Sequence, residues 1–146
     1  MRRNPLPVLR QLRAREMQAA RAELLSAERH LVEARRAVHA AESAIRHEMA
    51  AAASVHADDS AVQAFAKWLP VGRASVARAK ALRARAEEDT LQARTVFNLA
   101  RSALEAVETL IESQRVVEAS ETARKEQASL DEMGSRLRPP RSSRAE

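Results

Sequence analysis

The sequence of 146 residues contains no cysteine, only two glycines and only three aromatic side chains, one Trp and two Phe. Without cysteine the chain has no disulfide, no thiolate metal ligand and no cysteine nucleophile, which fits a reducing compartment. The scarcity of aromatic residues argues against a compact globular core. No apolar run approaches the roughly 18 residues that span a membrane, and the basic N-terminus lacks the apolar stretch of a signal peptide.

Alanine, arginine, glutamate and leucine dominate what is present, and between Leu6 and Ala57 there is neither proline nor glycine apart from Pro7. Alanine is the strongest helix former, and this composition is typical of long helices and coiled coils. The composition therefore predicts an all-α protein.

A seven-residue repeat runs through the first predicted helix. Large apolar residues recur at every seventh position, and an alanine follows most of them three residues later. The large members are Met17, Leu24, Leu31, Val38 and Ile45. An average period of 3.5 residues predicts a left-handed coiled coil with a partner helix.

The repeat breaks at Asp58, and Pro70 and Gly72 interrupt the pattern again. Ser60 and Gln63 fit a capping box. We expect a long antiparallel two-helix coiled-coil hairpin with a short helical cap at the turn. The predicted segments are helix one over residues 6–57, the cap over 58–73, helix two over 74–137 and a disordered basic tail over 138–146.

The second helix carries its own seam, in which small and large residues alternate. Its large members are Phe97, Leu104, Val107 and Ile111. Folding the chain back about a cap predicts that Met17 lies near residue 113 and Ile45 near residue 85. Helix two should then extend beyond the start of helix one.

Charge is distributed unevenly around the net value of +5. Residues 67–85 carry six basic side chains and no acidic one, and the first 21 residues are also rich in arginine. We expect both ends of the rod to be basic. Such a surface is typical either of a solvated helical face or of a protein with a polyanionic partner.

The sequence lacks the residue groupings that catalysis requires. The four histidines are not three or four residues apart, there is no glycine-rich phosphate loop, and a two-helix rod offers no enclosed pocket. We therefore predict no enzyme, no catalytic or metal-binding residue, no cofactor and no small-molecule substrate. Nucleic-acid binding is a weaker alternative, because no aromatic stacking residues are interleaved with the arginines at the open end.

Three residues of the predicted cap, Phe65, Trp68 and Leu69, lie three or four positions apart. They either plug the end of the coiled coil or form an apolar docking surface beside Lys67 and Arg73, and both roles can hold at once.

The chain resembles the FliJ family, the central-stalk component of the bacterial flagellar export apparatus. The resemblance rests on the helix start with Pro5, Leu6, Leu9 and Leu12, on the matching length and on two stretches. These stretches are VQAFAKWLP after the mid-chain break and RKEQASLDEM near the end of helix two, in which Gln127, Leu130, Asp131 and Glu132 stand as in that family.

The resemblance implies a non-enzymatic protein that binds and stimulates a hexameric export ATPase and links it to the cytoplasmic domain of the membrane-embedded export gate. Export chaperones are further implied partners. The implied location is the bacterial cytoplasm, with peripheral association at the inner membrane beneath the flagellar basal body. The alternative from pattern alone is a generic coiled-coil adaptor.

The resemblance also implies two sites. The ATPase would bind the open end of the hairpin, and the gate would bind the cap through Phe65, Trp68 and Leu69. The open-end residues are Arg10, Arg13, Arg124, Lys125, Gln127, Asp131, Glu132 and Arg136.

Overall fold

The computed structural model describes residues 4–137 and confirms the all-α hairpin. Helix α1 spans Leu6–Ala52 and helix α2 spans Asp59–Leu137. At 1.5 Å per residue, α1 is about 70 Å long and α2 about 120 Å. The predicted tail at 138–146 lies outside the described residues.

The turn is shorter than predicted, and residues 4–137 contain no separate cap helix. Helix α1 ends at Ala52 instead of residue 57, and α2 begins at Asp59 and continues without a break through Pro70 and Gly72. A proline within a helix removes one backbone hydrogen bond and costs about 3 kcal/mol or more. Packing offsets this cost, because half-buried side chains precede Pro70 and the buried Gly72 follows it.

Helix α2 is capped by Asp58 and not by the predicted Ser60–Gln63 box. The Asp58 carboxylate accepts a hydrogen bond of 3.0 Å from the backbone amide of Ala61, three residues further on. This is the geometry of an N-cap aspartate. The same amide, together with the Ser60 hydroxyl, lowers the pKa of the Asp58 carboxyl below its ordinary value.

Helix α1 begins at a proline-rich start. Pro5 has φ −77° and ψ −14° and accepts a backbone hydrogen bond of 3.0 Å from the amide of Leu9. The Asn4 side chain accepts a hydrogen bond of 3.1 Å from the amide of Leu6 and donates one of 3.1 Å to Gln114 on α2. Asn4 therefore ties the start of α1 to a defined point on α2.

Four ion pairs between the helices define the register. They are Arg10–Glu108 at 3.1 Å, Glu28–Arg94 at 3.5 Å, Arg35–Glu87 at 3.9 Å and Glu42–Lys80 at 3.3 Å. In each pair the two residue numbers add up to 118 or 122. Met17 therefore lies near residue 103 and not 113, and Ile45 near residue 75 and not 85. The cause is the turn, because only six residues, and not a fifteen-residue cap, separate the helices.

The seam between the helices is thin and rich in alanine. Its buried residues are Ala20 and Val38 on α1 and Gly72, Ala79, Ala86, Thr90 and Val107 on α2. The structure places Met17, Leu24, Leu31, Ile45, Phe97, Leu104 and Ile111 half-buried. Thr90 is the one buried polar residue among the described side chains, and its hydroxyl bonds to the Ala86 carbonyl at 2.8 Å and lies 3.3 Å from the Ala27 carbonyl.

The rod exposes far more surface than a compact protein. Its accessible surface is 12342 Å² for a mass of 16.1 kDa, whereas a compact monomer of that mass exposes about 7,400 Å². Most of the side chains of this fold are therefore available to partners.

Candidate interaction surfaces

The end of α2 extends beyond α1 as a single helix. Asn4 contacts Gln114, and every residue from Glu112 to Leu137 is exposed. We call residues 118–137 the free helix. It carries five acidic and three basic side chains, so its charge is mixed and not strongly basic as the sequence suggested.

The predicted ATPase-contacting residues fall into two groups that the fold does not bring together. Arg10 and Arg13 lie where both helices run side by side, and their charges are paired with Glu108 and Glu16. The other six residues lie on the free helix. Arg124 lies 16 positions beyond Glu108, which is about 24 Å along the helix.

Within the free helix, part of the predicted site is paired locally. Gln127 donates a hydrogen bond of 3.1 Å to Asp131, and Arg136 forms an ion pair with Glu132. Arg124 and Lys125 form no ion pair with any residue of 4–137. These two cations are therefore the side chains of the free helix most available to an acidic partner.

The three predicted gate-binding residues are half-buried at the turn end, which we call the tip. The ring centroids of Phe65 and Trp68 are 6.3 Å apart, and both residues line a cleft with Ala51 and Ala52 of α1. The indole of Trp68 also covers the α-carbon of Gly72. The aromatic pair therefore packs against the hairpin itself, as a plug would.

Exposed apolar residues surround this plug, and the sequence reasoning did not identify them. Val55 is 97% exposed at the turn, and Val62 and Val71 are more than half exposed on α2. Six basic residues and no acidic one occupy positions 67–85 nearby. Val71, an exposed apolar residue outside the seven-residue seam, was the signal in the sequence that could have revealed this surface.

A second unpredicted surface runs along α2 between residues 95 and 117. The positions on this side of the helix contain no charged residue, although the segment carries five charges in total. We call it the uncharged face. Its apolar members are Val96, Leu99, Ala103, Ala106, Leu110, Val116 and Val117, and Thr95, Ser102, Thr109 and Ser113 complete it.

The uncharged face follows the same seven-residue repeat as the seam. Val96, Ala103, Leu110 and Val117 are each seven residues apart, and all but the half-buried Ala103 are exposed. The α2 members of the four interhelical ion pairs, at 80, 87, 94 and 108, occupy a different position of the repeat. In a heptad these two positions flank the seam on opposite sides, so one side of the hairpin is ion-paired and the other carries the uncharged face.

No group of three histidine, aspartate or glutamate side chains within residues 4–137 is placed to hold a metal ion. The same residues include no helix long and apolar enough to cross a membrane.

Comparison with known families gives a match to the family described as flagellar FliJ protein, over residues 2–139. Comparison with curated proteins and with solved structures gives no match. Members of this family are components of the export apparatus and not enzymes. This confirms the prediction that the chain is not an enzyme. Because the match spans nearly the whole sequence, the chain belongs to the flagellar FliJ protein family and is a protein associated with flagellar export.

Proposed function

We propose that this protein is the central stalk of the export apparatus and that its free helix binds and stimulates the hexameric export ATPase. The observation that carries the proposal is the extension of α2 beyond α1. A single helix is about 10–12 Å across with its side chains, which is half the width of the hairpin. The free helix is thus the slimmest part of the rod and suits the central hole of a ring.

The charges of the free helix support this assignment. Arg124 and Lys125 lie next to each other, exposed and without an ion-pair partner among the described residues, while the paired Gln127–Asp131 and Glu132–Arg136 side chains follow. Oriented cations attract acidic groups most strongly where water is displaced, as it is when a ring closes around a helix. Arg10 and Arg13 support the binding less directly, because they stabilise the adjoining hairpin through their own ion pairs.

At the tip, we propose that the export gate binds the surface around Phe65, Trp68 and Leu69, with the exposed Val62 and Val71 at its border. The gate would then lie at the end of the rod opposite the ATPase. Peripheral association with the inner membrane from the bacterial cytoplasm follows from this contact. Export chaperones are proposed partners on the family resemblance alone.

The proposal is tested by titrating this protein into the export ATPase of the same organism and measuring the rate of ATP hydrolysis. We expect saturable stimulation at about one rod per six ATPase subunits. An unchanged rate and unchanged ring assembly, with the rod fully helical by circular dichroism, would leave a generic coiled-coil adaptor as the better account.

The double variant Arg124→Glu/Lys125→Glu should weaken ATPase binding by about tenfold or more, because truncated or reversed charge pairs in interfaces cost about 2–5 kcal/mol. The matched control is Arg21→Glu/Arg29→Glu, which makes the same change in net charge at exposed positions of α1. Equal affinity of the two variants would remove the free helix from the interface.

A further inference from the structure

Within residues 4–137, no other part of the hairpin covers the uncharged face of α2. Val96, Leu99, Leu110 and Val117 are each more than half exposed. The hydroxyls of Thr95 and Thr109 bond to the carbonyls of Leu91 and Glu105 one turn earlier, so they do not present free donors. An exposed face of three heptads without charge is typical of a helix-binding surface.

The absence of charge favours a second copy of the same chain as the occupant. A different protein with a charged surface would be recognised through complementary charges at the contact, and the uncharged face carries no charged residue that could supply them. Two copies can meet here without like-charge repulsion. If they are antiparallel about a twofold axis near Ala106, each Ala103 lies opposite a Leu110, so small side chains meet large ones.

The charges beyond the uncharged face also favour the antiparallel orientation. With the axis near Ala106, the free helix of one copy runs beside residues 75–94 of the other. The free helix has five acids and three bases, whereas residues 75–94, which we call the basic segment, have five bases and three acids, so the two segments carry opposite net charges. A parallel pair would instead place the basic segment of one chain beside the basic segment of the other.

The contact area is large enough for a stable complex only when these outer segments take part. The uncharged face alone spans about 33 Å, and the overlap from residue 75 to residue 137 spans about 95 Å. With a width of about 10 Å, the longer contact covers about 1,900 Å² over both copies, within the range of stable interfaces, and the shorter one falls below it.

We propose that the free protein forms an antiparallel dimer through the uncharged face of α2, with the free helix of each copy along the basic segment of the other. The dimer proposal does not rest on the ATPase-binding proposal, but both contacts use the free helix, so the dimer must dissociate before the free helix enters the ATPase ring. The dimer should weaken as salt is added, because the outer segments contribute through exposed charges.

Sedimentation equilibrium of the full chain tests the proposal, since it reports mass without assuming a shape. We expect twice the 16.1 kDa of one chain, and a monomer at all concentrations would overturn the proposal. Leu99→Glu on the uncharged face should give a monomer. Leu25→Glu is the matched control, because Leu25 is also exposed but lies on α1 beside the ion-paired Glu28, away from the uncharged face.

Single cysteine variants test the orientation, because the natural chain contains no cysteine. Under mild oxidation Ala106→Cys should form a disulfide-linked dimer. Ser120→Cys should not, since an antiparallel pair separates the two positions by about 40 Å. Equal cross-linking of both variants would refute the antiparallel orientation. Dissociation by Leu25→Glu as complete as by Leu99→Glu would refute the assigned face.

Discussion

Gly72 is predicted to be coupled energetically to Trp68. An added Cβ at Gly72 would lie 2.7 Å from Cη2, 2.8 Å from Cζ3 and 3.2 Å from Cζ2 of the indole. These distances are shorter than van der Waals contact, so Gly72→Ala must move the indole away from the helix. The indole lines a cleft with Ala52 of α1, and on α2 it lies next to the ring of Phe65.

The magnitude follows from two opposing effects. Replacing a helical glycine by alanine stabilises a helix by about 1 kcal/mol, whereas overpacking a fitted contact costs about 1–3 kcal/mol. In the natural chain we therefore expect Gly72→Ala to lower the free energy of unfolding by up to about 2 kcal/mol. In a Trp68→Ala background the obstacle is gone, and the same substitution should raise it by about 1 kcal/mol.

The assay is urea unfolding followed by circular dichroism for the four proteins of this double-mutant cycle. The coupling free energy should be about 1–3 kcal/mol. Trp68 is the sole tryptophan, so its fluorescence should also shift to the red in Gly72→Ala. The same change in stability in both backgrounds would show that the indole does not depend on the missing side chain of Gly72.

Two further predictions concern the seam and the cap. Val38→Ala should destabilise the hairpin by about 1–3 kcal/mol, and Val32→Ala by less than about 0.5 kcal/mol. The reason is burial, since Val38 is 4% exposed and Val32 is 46% exposed on the same helix. Equal losses of stability in urea unfolding would contradict the assignment of Val38 to the seam. Asp58→Ala should lower the melting temperature above about pH 4 but not well below that pH. The pKa of Asp58 is lower in the folded state than in the unfolded state. The stabilisation by Asp58 is therefore present above its unfolded-state pKa and is lost as the pH falls through its folded-state pKa. Asp58→Asn, which keeps a cap acceptor, is the control, and a difference in melting temperature between the natural chain and Asp58→Ala that persists at about pH 2 would contradict this reasoning.

The hairpin was predictable because the seven-residue spacing is a property of the chain alone. The spacing of Leu24, Leu31 and Val38 fixes which side of α1 meets a partner helix. The turn was not predictable in the same way. Proline and glycine are read as helix breakers from local propensity, but at Pro70 and Gly72 the tertiary packing of Trp68 outweighs that propensity.

The error at the turn changed the register, and the register decides which charges meet. The predicted register, with Met17 near residue 113, placed Arg10 near residue 120. With α2 beginning at Asp59, the start of α1 instead lies beside an acidic stretch, and Arg10 pairs with Glu108. Arg124 and Lys125 lie in the part of α2 that extends beyond α1, so this candidate site lies on a single helix.

The same register explains why this rod has so much surface left for partners. The hairpin is held by an alanine-rich seam on one narrow strip and by four exposed ion pairs on one side of it, each of which contributes only about 0–1 kcal/mol. Stability thus requires neither the uncharged face, nor the free helix, nor the basic residues at 67–85 other than Lys80, which pairs with Glu42. Residues that a fold does not need for its own stability would drift toward ordinary solvated surface, with both charges mixed and large apolar side chains rare. The uncharged face instead lacks charge, residues 67–85 lack acids, and the free helix extends without a partner helix. Binding to other molecules is therefore the simpler explanation of their composition.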